Sequence, residues 1–382
     1  MFRAINAGCQ NYLKDGKVKN LAIAGGGTGG HIFPAMAIAM ELQKIMPEIG
    51  IKYLGKKDSL EEKLVSKRDW QFIPIPARPL KRKLSLSNLL IPFTLMRGSR
   101  LTKAIIKDHQ VEGLLGTGGY VSVPALMGAR KARVRMFLQE QNSFPGIATR
   151  LFAKHAALCF LAYPQAKKYL ASESNFFEVG NPLRPDFDIA KKEEGIKFFE
   201  LDPNKKTLLI FGGSQGAAAL NQKVKDNLGA FKKDGNVQII WQAGKYNFDD
   251  YKTVFENSGV PGVILEFIDR MEMAYAAADL AFCRSGALSL SELAAVGLPS
   301  LLVPFPYAAE DHQYHNAKVY DEAGAAKVIR QAELEDFDLY DYVSKLFGDP
   351  ERLKNMSEAA RSLADLKASE KIAKKIIEVL KW

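Results

Sequence analysis

Apolar positions in this chain follow two alternating patterns. Short runs rich in β-branched and aromatic residues recur at Leu21–Ala24, Ile51–Leu54, Gly113–Leu115, Leu158–Leu161, Leu208–Phe211, Ile239–Trp241, Val263–Leu265, Leu280–Cys283 and Leu301–Val303. Between them the apolar positions repeat at helical spacing. Strand alternating with helix predicts βαβ units, and so an α/β fold with largely parallel sheets. A strand as uniformly apolar as Leu208-Leu209-Ile210-Phe211 suits a sheet covered on both faces.

The opening unit of such a domain occurs twice. Leu21–Ala24 runs into Gly25-Gly26-Gly27-Thr28-Gly29-Gly30 and a helical stretch, and Leu208–Phe211 runs into Gly212-Gly213-Ser214-Gln215-Gly216 and another. Asn181-Pro182-Leu183-Arg184-Pro185 lies between them, where two prolines favour an extended connector. The chain therefore reads as two doubly wound, Rossmann-like domains, 1–184 and 185–355, with a cleft between them. The last stretch, 356–382, has helical periodicity and is expected to pack back on the first domain.

A length of 382 residues suits two domains. With 47% hydrophobic and 25% charged residues, the composition excludes a mostly disordered chain or a collagen. No apolar run approaches the length of a membrane span. The three cysteines (Cys9, Cys159 and Cys283) are too scattered for a disulfide framework or a cysteine-built zinc site, which fits a reducing compartment. No apolar stretch precedes Cys9, so Ala7-Gly8-Cys9 reads poorly as a lipoprotein site. Charge is more telling. Residues 1–184 carry 28 Lys and Arg against 12 Asp and Glu, a net of +16, whereas the remainder carries 25 against 31, a net of −6. The first half is therefore expected to meet something anionic: nucleic acid, acidic lipid or a phosphorylated substrate.

A glycine turn opening a helix brings backbone N–H groups and the helix dipole to an anion. Neither turn makes a good dinucleotide fingerprint. Pro34 follows Gly25–Gly30 closely and is expected to delay the helix, and Ile51-Lys52-Tyr53-Leu54-Gly55 ends without the acidic residue that would hold an adenosine ribose. That weakens a nicotinamide-dependent oxidoreductase. No Lys-Ser/Thr follows the glycines, so a Walker A loop is excluded as well. Two turns on two domains fit a divided ligand better.

Seven ordered motifs then carry a resemblance: Gly26–Ala35, Gly118-Gly119-Tyr120, Glu140-Gln141-Asn142, Asn181-Pro182-Leu183-Arg184, Gly212–Gly216, Cys283–Leu288 and Gln313–Ala317. Together, over about residues 20 to 330, they resemble the MurG family, the N-acetylglucosaminyltransferases of peptidoglycan synthesis. The resemblance implies a GT-B fold and inverting transfer of GlcNAc from UDP-GlcNAc to the MurNAc 4-hydroxyl of undecaprenyl-pyrophosphoryl-MurNAc-pentapeptide, at the cytoplasmic face of the membrane. In-line displacement needs a base for the acceptor hydroxyl and stabilisation of the departing diphosphate. His31 is the base candidate, with Glu140 as rival base or orienting carboxylate. The family pattern places Thr28, Gly29, Gly30, Asn142 and Arg184 near the donor, Ser214, Gln215 and Gly216 on its diphosphate, Ala287 and Leu288 beside Arg284 (itself either a phosphate contact or a structural salt bridge), Glu292 on the ribose and the Ile268 backbone on uracil. Gln313 suits a sugar hydroxyl. The segment Glu310-Asp311-His312-Gln313 departs from the commonest family wording, and His312 reads more readily as an exposed loop histidine than as a ligand. Tyr120 falls on the acceptor side.

Asp-x-Asp occurs at Asp186/Asp188 and Asp336/Asp338, but neither pair follows an apolar strand, so no essential metal and no cofactor are expected. A membrane-bound acceptor gives the basic half a purpose. Lys81, Arg82 and Lys83 join Leu84, Leu89 and Phe93 in a cationic, apolar segment, which Arg130, Lys131, Arg133 and Arg135 extend. Each basic residue near an anionic leaflet contributes about 1 kcal/mol. The alternative is a loop feeding a helix whose apolar side is core. Reading helices or stacking aromatics for nucleic acid are not recognisable. Other cell-wall synthesis proteins remain possible partners. The competing functions are another GT-B UDP-sugar enzyme, such as a UDP-GlcNAc 2-epimerase, and a non-catalytic peripheral membrane module. The module would leave Glu292, Arg184 and the second glycine turn without a role.

Overall fold

The computed structural model describes residues 18–79, 89–171, 174–185, 187–213 and 216–382. Contacts divide the chain into two units: one runs to Pro185 and takes in Asp365–Trp382, and the other is Asp186–Ala364.

The first unit is built on seven strands: β1 (Asn20–Gly25), β2 (Gly50–Gly55), β3 (Gln71–Pro74), β4 (Gly113–Gly118), β5 (Arg135–Glu140), β6 (Leu158–Leu161) and β7 (Phe176–Glu178). All pair in parallel, in the order β3-β2-β1-β4-β5-β6-β7. Strand order reverses between β1 and β4, and the crevice at their C-terminal ends is where doubly wound sheets bind ligands. A register shift after Ala24 pairs Gly25 with Gly118, so both strands end there in glycine turns. The second unit repeats the plan with β8 (Lys206–Phe211), β9 (Val237–Gln242), β10 (Gly262–Leu265), β11 (Leu280–Cys283), β12 (Ser300–Leu302) and β13 (Ala326–Val328), in the order β10-β9-β8-β11-β12-β13. Its switch point lies between β8 and β11.

All nine predicted strands are present, and β3, β5, β7 and β13 are additional. Three of these are short edge strands with little apolar sequence to betray them. β5 was hidden by its composition, since Met136, Phe137 and Leu138 are flanked by Arg135 and by Gln139-Glu140.

The sheet of the first unit has a core on both faces. On one face Leu21, Ile23, Phe137 and Phe160 pack with the helix Gly29–Ile45 and with Ile372, Ala373 and Ile376 of the helix Ala368–Leu380. On the other, Ala22, Leu114 and Leu138 pack with Ile105, Ala125 and Leu126. The second unit centres on Leu208, Ile210, Trp241, Phe282 and Leu301. The chain returns to the first unit at Asp365, later than the expected 356, because Met356 of the helix Pro350–Ser362 is buried in the second core and Ser357 Oγ bonds the Gly297 carbonyl at 2.6 Å. Pro34 does not delay its helix. That helix starts at Gly29, and Pro34 sits inside it at the cost of one backbone donor.

Candidate active site

In the first unit the helix Gly29–Ile45 starts directly from the turn after β1. Thr28 is its N-cap residue but makes no side-chain cap bond, so the leading N–H groups at Gly29 and Gly30 keep their anion-binding character. His31 stands one residue further, at the switch point. Its ring packs against Gly118 and Gly119; at Gly119 the φ is +77° and a Cβ would come within 2.0 Å of the Gly26 carbonyl, so only glycine allows this approach. His31 Nδ1 lies 3.1 Å from the Thr117 carbonyl and 3.1 Å from Gln141 Oε1. The Thr117 hydroxyl donates to the His31 carbonyl at 2.7 Å, so the histidine is held at both backbone and ring.

Glu140 is buried at the end of β5, yet its carboxylate serves the following loop. Oε1 accepts from the backbone and side-chain N–H groups of Asn142, both at 3.1 Å, and Oε2 accepts from Gly146 N–H at 3.0 Å and from the Thr149 hydroxyl. Glu140 thus shapes the loop that carries Asn142, and the side chain beside the His31 ring is that of its neighbour Gln141. Tyr120 stands over Gly27, and burial together with the nearby Glu61 carboxylate raises its phenol pKa. Glu61 is itself buried beside Gly26, accepting the Lys56 N–H at 3.2 Å. No sequence pattern singled out Glu61, because its turn contact depends on the fold.

In the second unit, Ser214 and Gln215 lie outside the described residues. Their flanks define the turn: Gly216 N–H donates to the Gly213 carbonyl at 2.9 Å, and at Gly216 (φ +75°) a Cβ would come within 2.2 Å of the Ala243 carbonyl. Two long helices begin beside the switch point, Ala218–Asp234 after β8 and Ala287–Val296 after β11. Neither Ala217 nor Gly286, their N-cap residues, offers a side-chain cap, so the N–H groups at Ala287 and Leu288 and at the start of the first helix suit a diphosphate.

Glu292 is buried in the second of these helices, and its Oε2 accepts from the Tyr275 hydroxyl at 2.9 Å. Arg284 donates to the Val303 and Pro304 carbonyls at 3.0 and 3.1 Å and to Gln331 Oε1 at 2.6 Å, stacks over Phe305, and is held down to about pKa 10 by burial. It ties the end of β11 to the neighbouring loops. The Ile268 N–H donates to Gln242 Oε1 at 2.9 Å, and Gln242 Nε2 donates to the Gly213 carbonyl at 3.0 Å. Gln242 thus links the glycine turn to the Ile268 loop, a role that its place at the end of β9 does not announce.

Gln313 Oε1 accepts from Phe305 N–H at 3.0 Å, which leaves its Nε2 for the expected sugar contact. His312 is the first residue of the helix His312–Glu322, not a loop residue, and its Nδ1 lies 2.8 Å from the Ala309 carbonyl. Arg184 lies half-buried in the connector. Asp338 caps the helix Leu339–Phe347 by accepting Asp341 N–H at 2.8 Å. Among the described residues, no three His, Cys, Asp or Glu side chains cluster as a metal site would require.

Lys81, Arg82, Lys83 and Leu84 lie outside the described residues. Leu89 and Phe93, at the start of the helix Ile91–Asp108, are 69% and 67% exposed, whereas further along the same helix Ile105 and Ile106 are buried in the core. Exposed Arg97, Arg100 and Lys103 follow on the same helix, and Arg130, Lys131, Arg133 and Arg135 are exposed at and beyond the end of Ser122–Ala132. No described helix is long and apolar enough to cross a membrane.

Comparison with known proteins matches residues 21–160 to the glycosyltransferase family 28 N-terminal domain and residues 207–376 to its C-terminal domain. A protein of Chlorobaculum tepidum named UDP-N-acetylglucosamine–N-acetylmuramyl-(pentapeptide) pyrophosphoryl-undecaprenol N-acetylglucosamine transferase is 38% identical over 94% of this chain and 98% of its own length. The protein of the same name from Desulforamulus reducens is 35% identical with the same coverage. Among solved structures, Acinetobacter baumannii MurG superposes with a TM-score of 0.74 at 28% identity, covering 94% of this chain and 99% of that one. A Listeria monocytogenes protein described as a putative UDP-N-acetylglucosamine 2-epimerase reaches 0.68 at 13% identity, a likeness of fold alone.

Proposed function

Since the chain belongs to glycosyltransferase family 28, we propose that it transfers N-acetylglucosamine from UDP-GlcNAc to the MurNAc 4-hydroxyl of undecaprenyl-pyrophosphoryl-MurNAc-pentapeptide, turning lipid I into lipid II with inversion at the anomeric carbon. The observation that carries this reading is end-to-end similarity, above one third identity, to transferases named for that reaction. The geometry supplies a matching division of labour. Helix N-termini at Ala218 and Ala287 suit the nucleotide diphosphate, and the Glu292 carboxylate suits the ribose hydroxyls. His31 Nε2 takes the proton from the acceptor hydroxyl as its oxygen bonds to C1 of GlcNAc. The bond from C1 to the β-phosphate oxygen breaks, and its electron pair leaves on UDP, where helix N–H groups stabilise the charge. Because backbone dipoles do this work, transfer is expected to survive chelation of divalent metal.

The exposed Leu89 and Phe93, with the basic residues around them, support peripheral attachment to the anionic cytoplasmic leaflet, where a lipid-linked acceptor would be presented. The test is incubation with labelled UDP-GlcNAc and the lipid-linked acceptor in the presence of EDTA. Label entering the lipid fraction with stoichiometric UDP release supports the assignment. Conversion of UDP-GlcNAc to its 2-epimer without acceptor would support the other UDP-sugar reading instead.

A further inference from the structure

Behind His31 lies a chain of buried amides whose donors and acceptors all run one way. Gln141 Nε2 donates to the Thr117 carbonyl at 2.7 Å, to the Gln139 carbonyl at 3.1 Å and to Gln139 Oε1. Gln139 Nε2 donates to Asn181 Oδ1 at 3.1 Å, and Asn181 Nδ2 donates to the Gln141 carbonyl at 2.9 Å. The three side chains are 3%, 1% and 6% exposed, so water does not compete for these bonds. Three oxygens surround Gln141 Nε2, which settles the orientation of that amide: its nitrogen faces them, and Oε1 faces His31. His31 Nδ1 then meets two oxygens, Thr117 O and Gln141 Oε1, neither of which can donate. Only a protonated Nδ1 satisfies them.

We propose that Gln141, backed by Gln139 and Asn181, is a positioning residue that locks His31 in its Nδ1–H tautomer, so that Nε2 carries the lone pair that accepts the acceptor's proton. The inference rests on His31 being the base. An amide differs here from a carboxylate. It fixes the tautomer without placing a full negative charge beside the ring, so the imidazolium formed during transfer is not held as an ion pair and can pass its proton on. Glu140, the adjacent carboxylate, is kept from the ring by its four bonds to the Asn142–Thr149 loop.

The first test needs no variant and no activity. Nitrogen-15 spectra of ring-labelled protein above the imidazole pKa, with His31 assigned by its loss in His31→Ala, are expected to show Nδ1 protonated and Nε2 bare. A predominant Nε2–H form overturns the proposal whatever the enzyme transfers. The second is a double-mutant cycle. Gln141→Leu keeps the bulk but removes the acceptor, and should lower kcat by about 10- to 100-fold, as loss of comparable outer partners of histidine does, with both KM values little changed. In a His31→Ala background the same change should have almost no further effect on kcat. An equal loss in both backgrounds would mean that Gln141 acts through the fold and not through His31. If His31→Ala is itself nearly as active as the parent while the spectra show Nδ1–H, the base assignment fails and the tautomer lock stands.

Discussion

On the proposed function His31 removes the proton and Glu292 binds the donor, and their substitutions should separate in the kinetics. His31→Ala is expected to lower kcat by about 100-fold or more while the KM for UDP-GlcNAc stays within about twofold, because general-base assistance is realised only in the transition state. Near-parental turnover would remove the histidine from the mechanism. Glu292→Ala should do the reverse, raising the donor KM about tenfold with a smaller change in kcat, measured by varying UDP-GlcNAc at saturating acceptor. His31 stands out in the sequence as a titratable group in a glycine turn, and Glu292 only through the family resemblance. Gln139, Gln242 and Glu61 do not stand out. Each acts through a hydrogen bond or contact to a residue distant in the chain, such as Gln242 to Ile268 and to Gly213, and no local spacing announces such a bond. The bonds of Arg284 to the Val303 and Pro304 carbonyls are of the same kind, arising only once the fold brings those loops to the end of β11.

At the scale of elements, the glycine turns and the helices they open are the working parts, and the backbone conformation at Gly216 is what permits the second of them. Gly216→Ala must hold a left-handed φ of +75° and a Cβ 2.2 Å from the Ala243 carbonyl, so the turn must move. The variant should lose about tenfold or more in UDP affinity by calorimetry and melt several degrees lower; unchanged UDP binding would contradict the place given to this turn. The helix Ala368–Leu380 completes the first unit. Ile376 is fully buried there, and Ile376→Ala should cost about 2–5 kcal/mol of stability in urea unfolding. Strand–helix alternation exposed most of this architecture in the sequence, since buried parallel strands are apolar runs. Edge strands β3, β7 and β13 escaped because an edge buries less and so needs fewer apolar residues. Pro34 misled for a related reason: the packing of Ile32, Ala35, Met36, Ile38 and Ala39 into the core sustains the helix through a proline.

Across the whole molecule, charge is segregated by half. The net of +16 in residues 1–184 sits with the exposed Leu89 and Phe93, whereas residues 185–382 carry a net of −6. Binding to vesicles should therefore require anionic lipid, weaken as salt rises, and weaken again in Phe93→Asp without loss of UDP affinity. Co-sedimentation equal on neutral and anionic vesicles would contradict that attachment. The division itself is open to one decisive observation, a crystal structure of the protein with UDP-GlcNAc. The diphosphate should lie at the Gly212–Gly216 turn and the N-terminus of Ala287–Val296, with the ribose on Glu292; nucleotide density seated instead at Gly25–Gly30 would overturn that division.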